Sequence, residues 1–109
     1  MNAPTLQDMY AARARVYRAM KPSPLLRHPL LAAESGLDIS VKHENHNPTG
    51  AFKVRGGLNL VASVAREGGA GARISGVITA TTGNHGQSIA LACRLDAVPC
   101  TIEIGRAHV

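Results

Sequence analysis

His43-Glu44-Asn45-His46-Asn47-Pro48-Thr49-Gly50-Ala51-Phe52-Lys53-Val54-Arg55-Gly56-Gly57 changes character at its middle, where a run of turn formers gives way to a helix. In Asn47-Pro48-Thr49-Gly50, Pro fixes φ, Gly permits positive φ and Asn tolerates the left-handed region. Directly afterwards Val54, Leu58, Val61 and Ala65 recur at a spacing that puts them on one helix face. The spacing places Lys53 in the first turn of that helix. A cation gains nothing there, because the unpaired N–H groups of a helix start are mildly positive. A lysine used as a nucleophile works as the free amine, and a positive neighbourhood suits that form. Taken alone, a lysine at a helix start reads more simply as a solvated surface charge.

Working outward toward the N-terminus, Ile39-Ser40-Val41-Lys42 alternates as a short strand that delivers the chain to this loop, after a turn at Gly36-Leu37-Asp38. Pro24-Leu25-Leu26-Arg27-His28-Pro29-Leu30-Leu31 is apolar and bracketed by prolines, so we expect an edge strand or packed coil. Thr5-Leu6-Gln7-Asp8 has the form of a capping box. A helix follows it, with Leu6, Met9, Tyr10, Val16, Tyr17 and Met20 as the packing stripe, and it ends by Lys21 because Pro22 and Pro24 cannot continue it.

In the other direction, Glu67-Gly68-Gly69-Ala70-Gly71 stops the Lys53 helix and forms a loop. It lacks the Gly-Lys-Ser/Thr ending of a nucleotide loop. Ser75 to Ala80 reads as a short buried strand, Gln87 to Leu95 as a helix, and Val98 to Ile102 as the start of a further strand. Gly86, Ala90 and Cys93 give that helix a face of small residues. Strands alternating with helices predict an α/β fold with a doubly wound, mostly parallel sheet. Between strand and helix stands Thr81-Thr82-Gly83-Asn84-His85-Gly86, at the carboxyl end of a strand, where ligands bind in such sheets. Backbone N–H groups there can hold a carboxylate. The same residues also read as no more than a turn and a helix cap.

The chain has 109 residues, enough for one modest core and short for a cofactor enzyme. Twelve basic and seven acidic residues give a net charge of +5, concentrated in Arg13, Arg15, Arg18, Lys21 and Arg27. With no interleaved aromatics and no binding motif, this patch reads as a solvated helix face, and no nucleic-acid or membrane partner is expected. Cys93 and Cys100 lack C-x-x-C spacing, and no signal peptide or long apolar run is present. We therefore expect reduced, partly buried thiols in a cytoplasmic protein. His43-Glu44-Asn45-His46 is not H-E-x-x-H and leaves a strand, so no metal site is expected.

Lys42-x-Glu44-x3-Pro48-Thr49-Gly50-Ala51-Phe52-Lys53-x-Arg55-Gly56 closely resembles the lysine segment of pyridoxal-phosphate enzymes of the tryptophan-synthase-β type, fold type II. Within that family it is most similar to threonine dehydratases and serine racemases. Ala51 replaces the commoner Ser. Thr81-Thr82-Gly83-Asn84-His85 likewise resembles the dehydratases' Ser-x-Gly-Asn-His loop, with Thr for Ser at 81.

The resemblance implies pyridoxal 5'-phosphate held as a Schiff base by Lys53, with Phe52 and Asn84 also binding the cofactor, Asn84 through its phenolic oxygen. It implies that Thr81, Thr82, Gly83 and His85 line the substrate-carboxylate pocket. Thr82 takes the place of a Ser that acts as second-face acid/base in serine racemases. The implied activity is that of an ammonia-lyase (dehydratase): β-elimination from a hydroxy-amino acid such as L-threonine or L-serine, giving a 2-oxo acid and ammonia, in a homo-oligomer. Serine racemisation, another elimination or replacement reaction on the same cofactor, and a non-catalytic binding module remain open.

The family's tetraglycine phosphate loop and its Ser or Cys for the pyridine nitrogen have no counterpart here. Residues 1–102 are accordingly read as the N-terminal part of such a catalytic domain, and the 109-residue chain by itself is expected to be inactive and prone to aggregation. Residues 103–109, Glu103-Ile104-Gly105-Arg106-Ala107-His108-Val109, match a translated sequencing adapter and are read as a non-native tail.

Overall fold

The computed structural model describes residues 2–66 and 74–105. Helix α1 spans Leu6–Tyr17 and opens on the expected box: Asp8 N–H donates to Thr5 Oγ1 at 3.2 Å, and Thr5 N–H donates to Asp8 Oδ2 at 2.8 Å. The Thr5 hydroxyl bond holds the Asp8 carboxyl below its ordinary value. Only the C-terminal half of the expected apolar stripe is internal. Val16 and Met20 are buried, whereas Leu6, Met9 and Tyr10 are exposed; the bonds of α1 to α3 come from its C-terminal half, where Arg15 reaches Asn59 and Tyr17 receives Arg55.

Strand β1 (Leu25–Arg27) pairs antiparallel with β2 (Ser40–Lys42), Leu26 standing opposite Val41. Between them lies a helix that the proline-bracketed reading did not foresee, α2 (Pro29–Ser35). Pro29 occupies its first position, where a missing N–H costs nothing and a fixed φ is already helical. Gly36, at φ +70°, closes it in the left-handed conformation.

A single 3-10 turn (Glu44–His46) leads into the loop that ends at Lys53, and α3 follows as Val54–Arg66. Beyond the glycine-rich segment Gly68–Gly71, which lies outside the described residues, β3 (Val77–Thr81) and β4 (Cys100–Ile104) form a parallel pair with α4 (Asn84–Leu95) as their crossover. The parallel β-α-β unit is the α/β element that the alternation predicted, while β2 pairs with β1 rather than joining it. Strand β4 continues past Ile102, Glu103 facing Ala80 and Ile104 facing Thr81.

The core is built where α3 and α4 pack. Val54, Leu58 and Val61 of α3 meet Ile89, Ala92 and Cys93 of α4, with Val16 and Met20 closing one side. Burying each such aliphatic side chain stabilises the fold by about 1.5–3 kcal/mol. Ala65 and Ala90, assigned to the same faces by spacing, are exposed at their margins. The two helices run in the same direction, since Ser88 touches the start of α3 while Arg66 at its end pairs with Asp96 just past α4. Asp96 also receives Arg18 at 3.2 Å, so one carboxylate gathers the ends of α1, α3 and α4. Arg15 and Arg18 of the basic run thus tie α1 to its neighbours, Arg15 donating to Asn59 at 2.9 Å, whereas Arg27 pairs with Asp38 at 3.1 Å on the open surface.

Candidate active site

Lys53 stands one residue before α3, because its carbonyl already accepts from Gly57 N–H at 3.3 Å and so opens the helix. Its side chain is exposed and makes no hydrogen bond or ion pair among the described residues. The preceding loop turns at Gly50, whose φ of +67° needs a residue without a Cβ. Phe52 beside Lys53 is 63% exposed, an unusual setting for a large aromatic ring.

A polar clasp holds the two ends of this loop. Arg55, in the first turn of α3, donates to Glu44 through Nε at 2.6 Å and Nη2 at 2.9 Å. Its Nη1 donates to the Tyr17 hydroxyl at 3.1 Å. Asn47 Nδ2, buried, donates to Glu44 Oε2 at 2.8 Å and to the Ala51 carbonyl at 3.3 Å, and the Ser23 hydroxyl donates to Glu44 as well. The Arg55 bond is the largest cause that lowers the Glu44 carboxyl to about 2, and the Arg55 guanidinium is correspondingly raised. The clasp therefore joins α1, the segment before β1, the 3-10 turn and α3 around the bend that presents Lys53.

The second loop leaves β3 at Thr81. Thr81 Oγ1 accepts from Gly83 N–H at 3.1 Å and from Gly86 N–H at 3.4 Å, so this hydroxyl shapes the loop internally. Helix α4 starts at Asn84 with no side-chain cap. A Cβ placed on Gly83 would meet nothing within 4 Å, which leaves the approach to the helix start open. Asn84 and Thr82 are exposed, and His85 is half-buried with its Nε2 3.1 Å from Thr79 Oγ1, a partner on β3 that spacing did not reveal. Thr81, Thr82 and Gly83 border a cavity of about 280 Å³ with Ala90, Ile102 and Ile104 as its apolar wall; Lys53, Asn84 and His85 lie off it.

The two motifs, far apart in sequence, are brought level by helix register. Gly57 is pressed against Ser88, where a Cβ would lie 2.2 Å from the hydroxyl oxygen. One turn back from Gly57 is Lys53, and one turn back from Ser88 is Asn84, on the same faces of two parallel helices. Both helix starts thus open at the same end of the molecule, and their partial positive charges favour an anionic ligand there.

A family model described as "Pyridoxal-phosphate dependent enzyme" matches residues 16–106. The chain belongs to the pyridoxal-phosphate dependent enzyme family. It is 38% identical over 102 residues to the L-threo-3-hydroxyaspartate ammonia-lyase of Saccharomyces cerevisiae, covering 94% of this chain and 30% of that protein. Against the L-threonine ammonia-lyase of Thermotoga maritima the identity is 34%, over 94% of this chain and 24% of that protein. Maize serine racemase superposes with a TM-score of 0.84 at 30% identity, over 97% of this chain and 32% of that one. The chain therefore spans about a quarter to a third of the length of these relatives.

The residues present fit the cofactor. An exposed primary amine, an exposed amide and the uncapped start of α4 stand at the same end, which suits a carbonyl-bearing anion. Among the described residues no group of three or more His, Cys, Asp or Glu is arranged to hold a metal ion. His43 instead lies with its Nε2 2.8 Å from that of His28. No helix among the described residues is long and apolar enough to cross a membrane.

Proposed function

We propose that this chain supplies the lysine-bearing part of an ammonia-lyase that converts a hydroxy-amino acid such as L-threonine or L-serine to a 2-oxo acid and ammonia. The observation that carries the reading is the exposed Lys53, whose backbone is bonded to α4 one turn past the uncapped start of that helix. When bound, pyridoxal phosphate supplies an electron sink for the carbanion at the substrate Cα. Lys53 would hold the cofactor through its amine and, as a free amine, would take the substrate Cα proton. Asn84 would hold the cofactor through its amide, with Phe52 beside it. The N–H groups at the start of α4, with Thr82 and Gly83, receive the substrate carboxylate. Loss of the β-hydroxyl as water leaves an enamine, and one water returns to hydrolyse it, so the net change needs no oxidant or reductant. Cytoplasmic residence belongs to the same proposal and is supported by the free thiols Cys93 and Cys100.

The test uses the protein encoded by the complete gene, incubated with pyridoxal phosphate and reduced with borohydride before peptide mapping. The cofactor mass is expected on Lys53. Lys53→Ala should lose the label and reduce ammonia release from L-threonine and L-serine by about 10²–10⁴-fold. A label on another lysine, or an unchanged rate in Lys53→Ala, would overturn the assignment. A racemase reading is favoured by the exposed Thr82 hydroxyl and the likeness to serine racemase. Chiral analysis of the recovered substrate separates the two.

A further inference from the structure

Ser88 is fully buried, and its hydroxyl donates to the Lys53 carbonyl at 2.6 Å across 35 residues of sequence. That carbonyl also takes the first N–H of α3, from Gly57 at 3.3 Å, so both of its lone pairs are used. Gly57 makes the approach possible: a Cβ there would lie 2.2 Å from the Ser88 hydroxyl oxygen and 2.8 Å from the Ser88 carbonyl oxygen. The contact is therefore a close backbone-to-helix seat with one polar bond in an otherwise apolar interface. It ties the base of Lys53 to the helix whose first residue is Asn84, one turn before Ser88 on the same face.

We infer that Ser88 is a positioning residue for Lys53. Its hydroxyl fixes the lysine backbone relative to the start of α4, and so sets how far the amine must reach to meet a cofactor held at that end. This rests on the reading of Lys53 as the covalent cofactor site and deepens it. A long, exposed side chain loses rotational freedom when its amine is fixed, and an anchored base reduces what remains to be ordered. Loss of the anchor should therefore weaken covalent attachment and slow proton removal, while substrate affinity, set by the α4 start, stays.

The experiment titrates pyridoxal phosphate into the complete-gene protein and measures, by borohydride fixation and mass spectrometry, the fraction carried by Lys53. Ser88→Ala is expected to need about three- to tenfold more cofactor for half-fixation, the worth of one neutral hydrogen bond. kcat should fall by a similar factor with KM unchanged. Ser88→Cys, a poorer donor of similar shape, should fall between, and it decides the matter if Ser88→Ala does not fold. A titration and kcat that match the parent, with only the urea midpoint lowered, would show a packing role alone and overturn the inference. Absence of fixation on Lys53 in the parent overturns the underlying reading instead, and the two failures are thereby distinct.

Discussion

Glu44 takes two bonds from one guanidinium and further bonds from Ser23 and Asn47, which is why its carboxyl lies at about 2 rather than the ordinary 4.5. Because the folded value is depressed, the stabilisation is complete above pH 4.5 and is lost as pH falls toward 2. Glu44→Gln keeps the shape but not the charge, and should lower stability at neutral pH by about 1.5–3 kcal/mol, the range for hydrogen bonds to charged groups. Urea midpoints measured across the acid range should converge between parent and variant below pH 4.5, since only the parent has the Glu44 carboxyl to protonate there. Parallel curves down to the lowest pH would place the stabilisation elsewhere. Glu44 and Arg55 were visible in the sequence as members of the lysine motif, but their pairing was not, because a motif gives spacing and not the bend that folds it back.

Helices α3 and α4 meet through glycine, and the two glycines of the Gly56-Gly57 pair face opposite surroundings. Gly57→Ala would drive a Cβ against Ser88 backbone at 2.8 Å and should destabilise by about 1–3 kcal/mol through overpacking. Gly56→Ala meets nothing within 4 Å and should stabilise by up to about 1 kcal/mol through helix propensity. Equal denaturant midpoints for the two variants would contradict this packing.

The same level shows what periodicity delivers and where it stops. The capping box at Thr5 and Asp8 and the core positions Val54, Leu58 and Val61 were legible, since both are local patterns. Helix α2 was not, because an apolar run bracketed by prolines suits an edge strand or packed coil, although a first-turn Pro29 and a closing Gly36 are also helix signals. The stripe Leu6, Met9 and Tyr10 was legible as helical but not as exposed, since period alone does not say how far a neighbour extends. The seat of Ser88 on Lys53 and the bond of His85 to Thr79 depend on tertiary approach and leave no local signal.

At the scale of the molecule, the radius of gyration is 17.1 Å, against about 13 Å for a compact chain of this length. Large apolar side chains stand in the open, among them Ile78 at 77% and Ile104 at 74% exposure. A short parallel pair with open edges and such side chains recruits other chains. The 109-residue chain alone should therefore show an average mass that rises with concentration in sedimentation, and Ile78→Lys with Ile104→Lys should reduce that rise. A concentration-independent monomer would contradict it.

The three helices that converge on Asp96 are fastened there by charge, from the partly exposed Arg18 and Arg66, whereas the end bearing Lys53 is fastened to α4 by a buried hydroxyl. Added electrolyte acts on the partly exposed arginine ends of the first fastening, less on the Asp96 carboxylate, which is buried, and least on the buried hydroxyl. In concentrated salt Arg18 and Arg66 should therefore loosen their hold on Asp96 before the Ser88 seat that spaces Lys53 and Asn84 relaxes, and the Arg55–Glu44 clasp at the lysine end should weaken along with them.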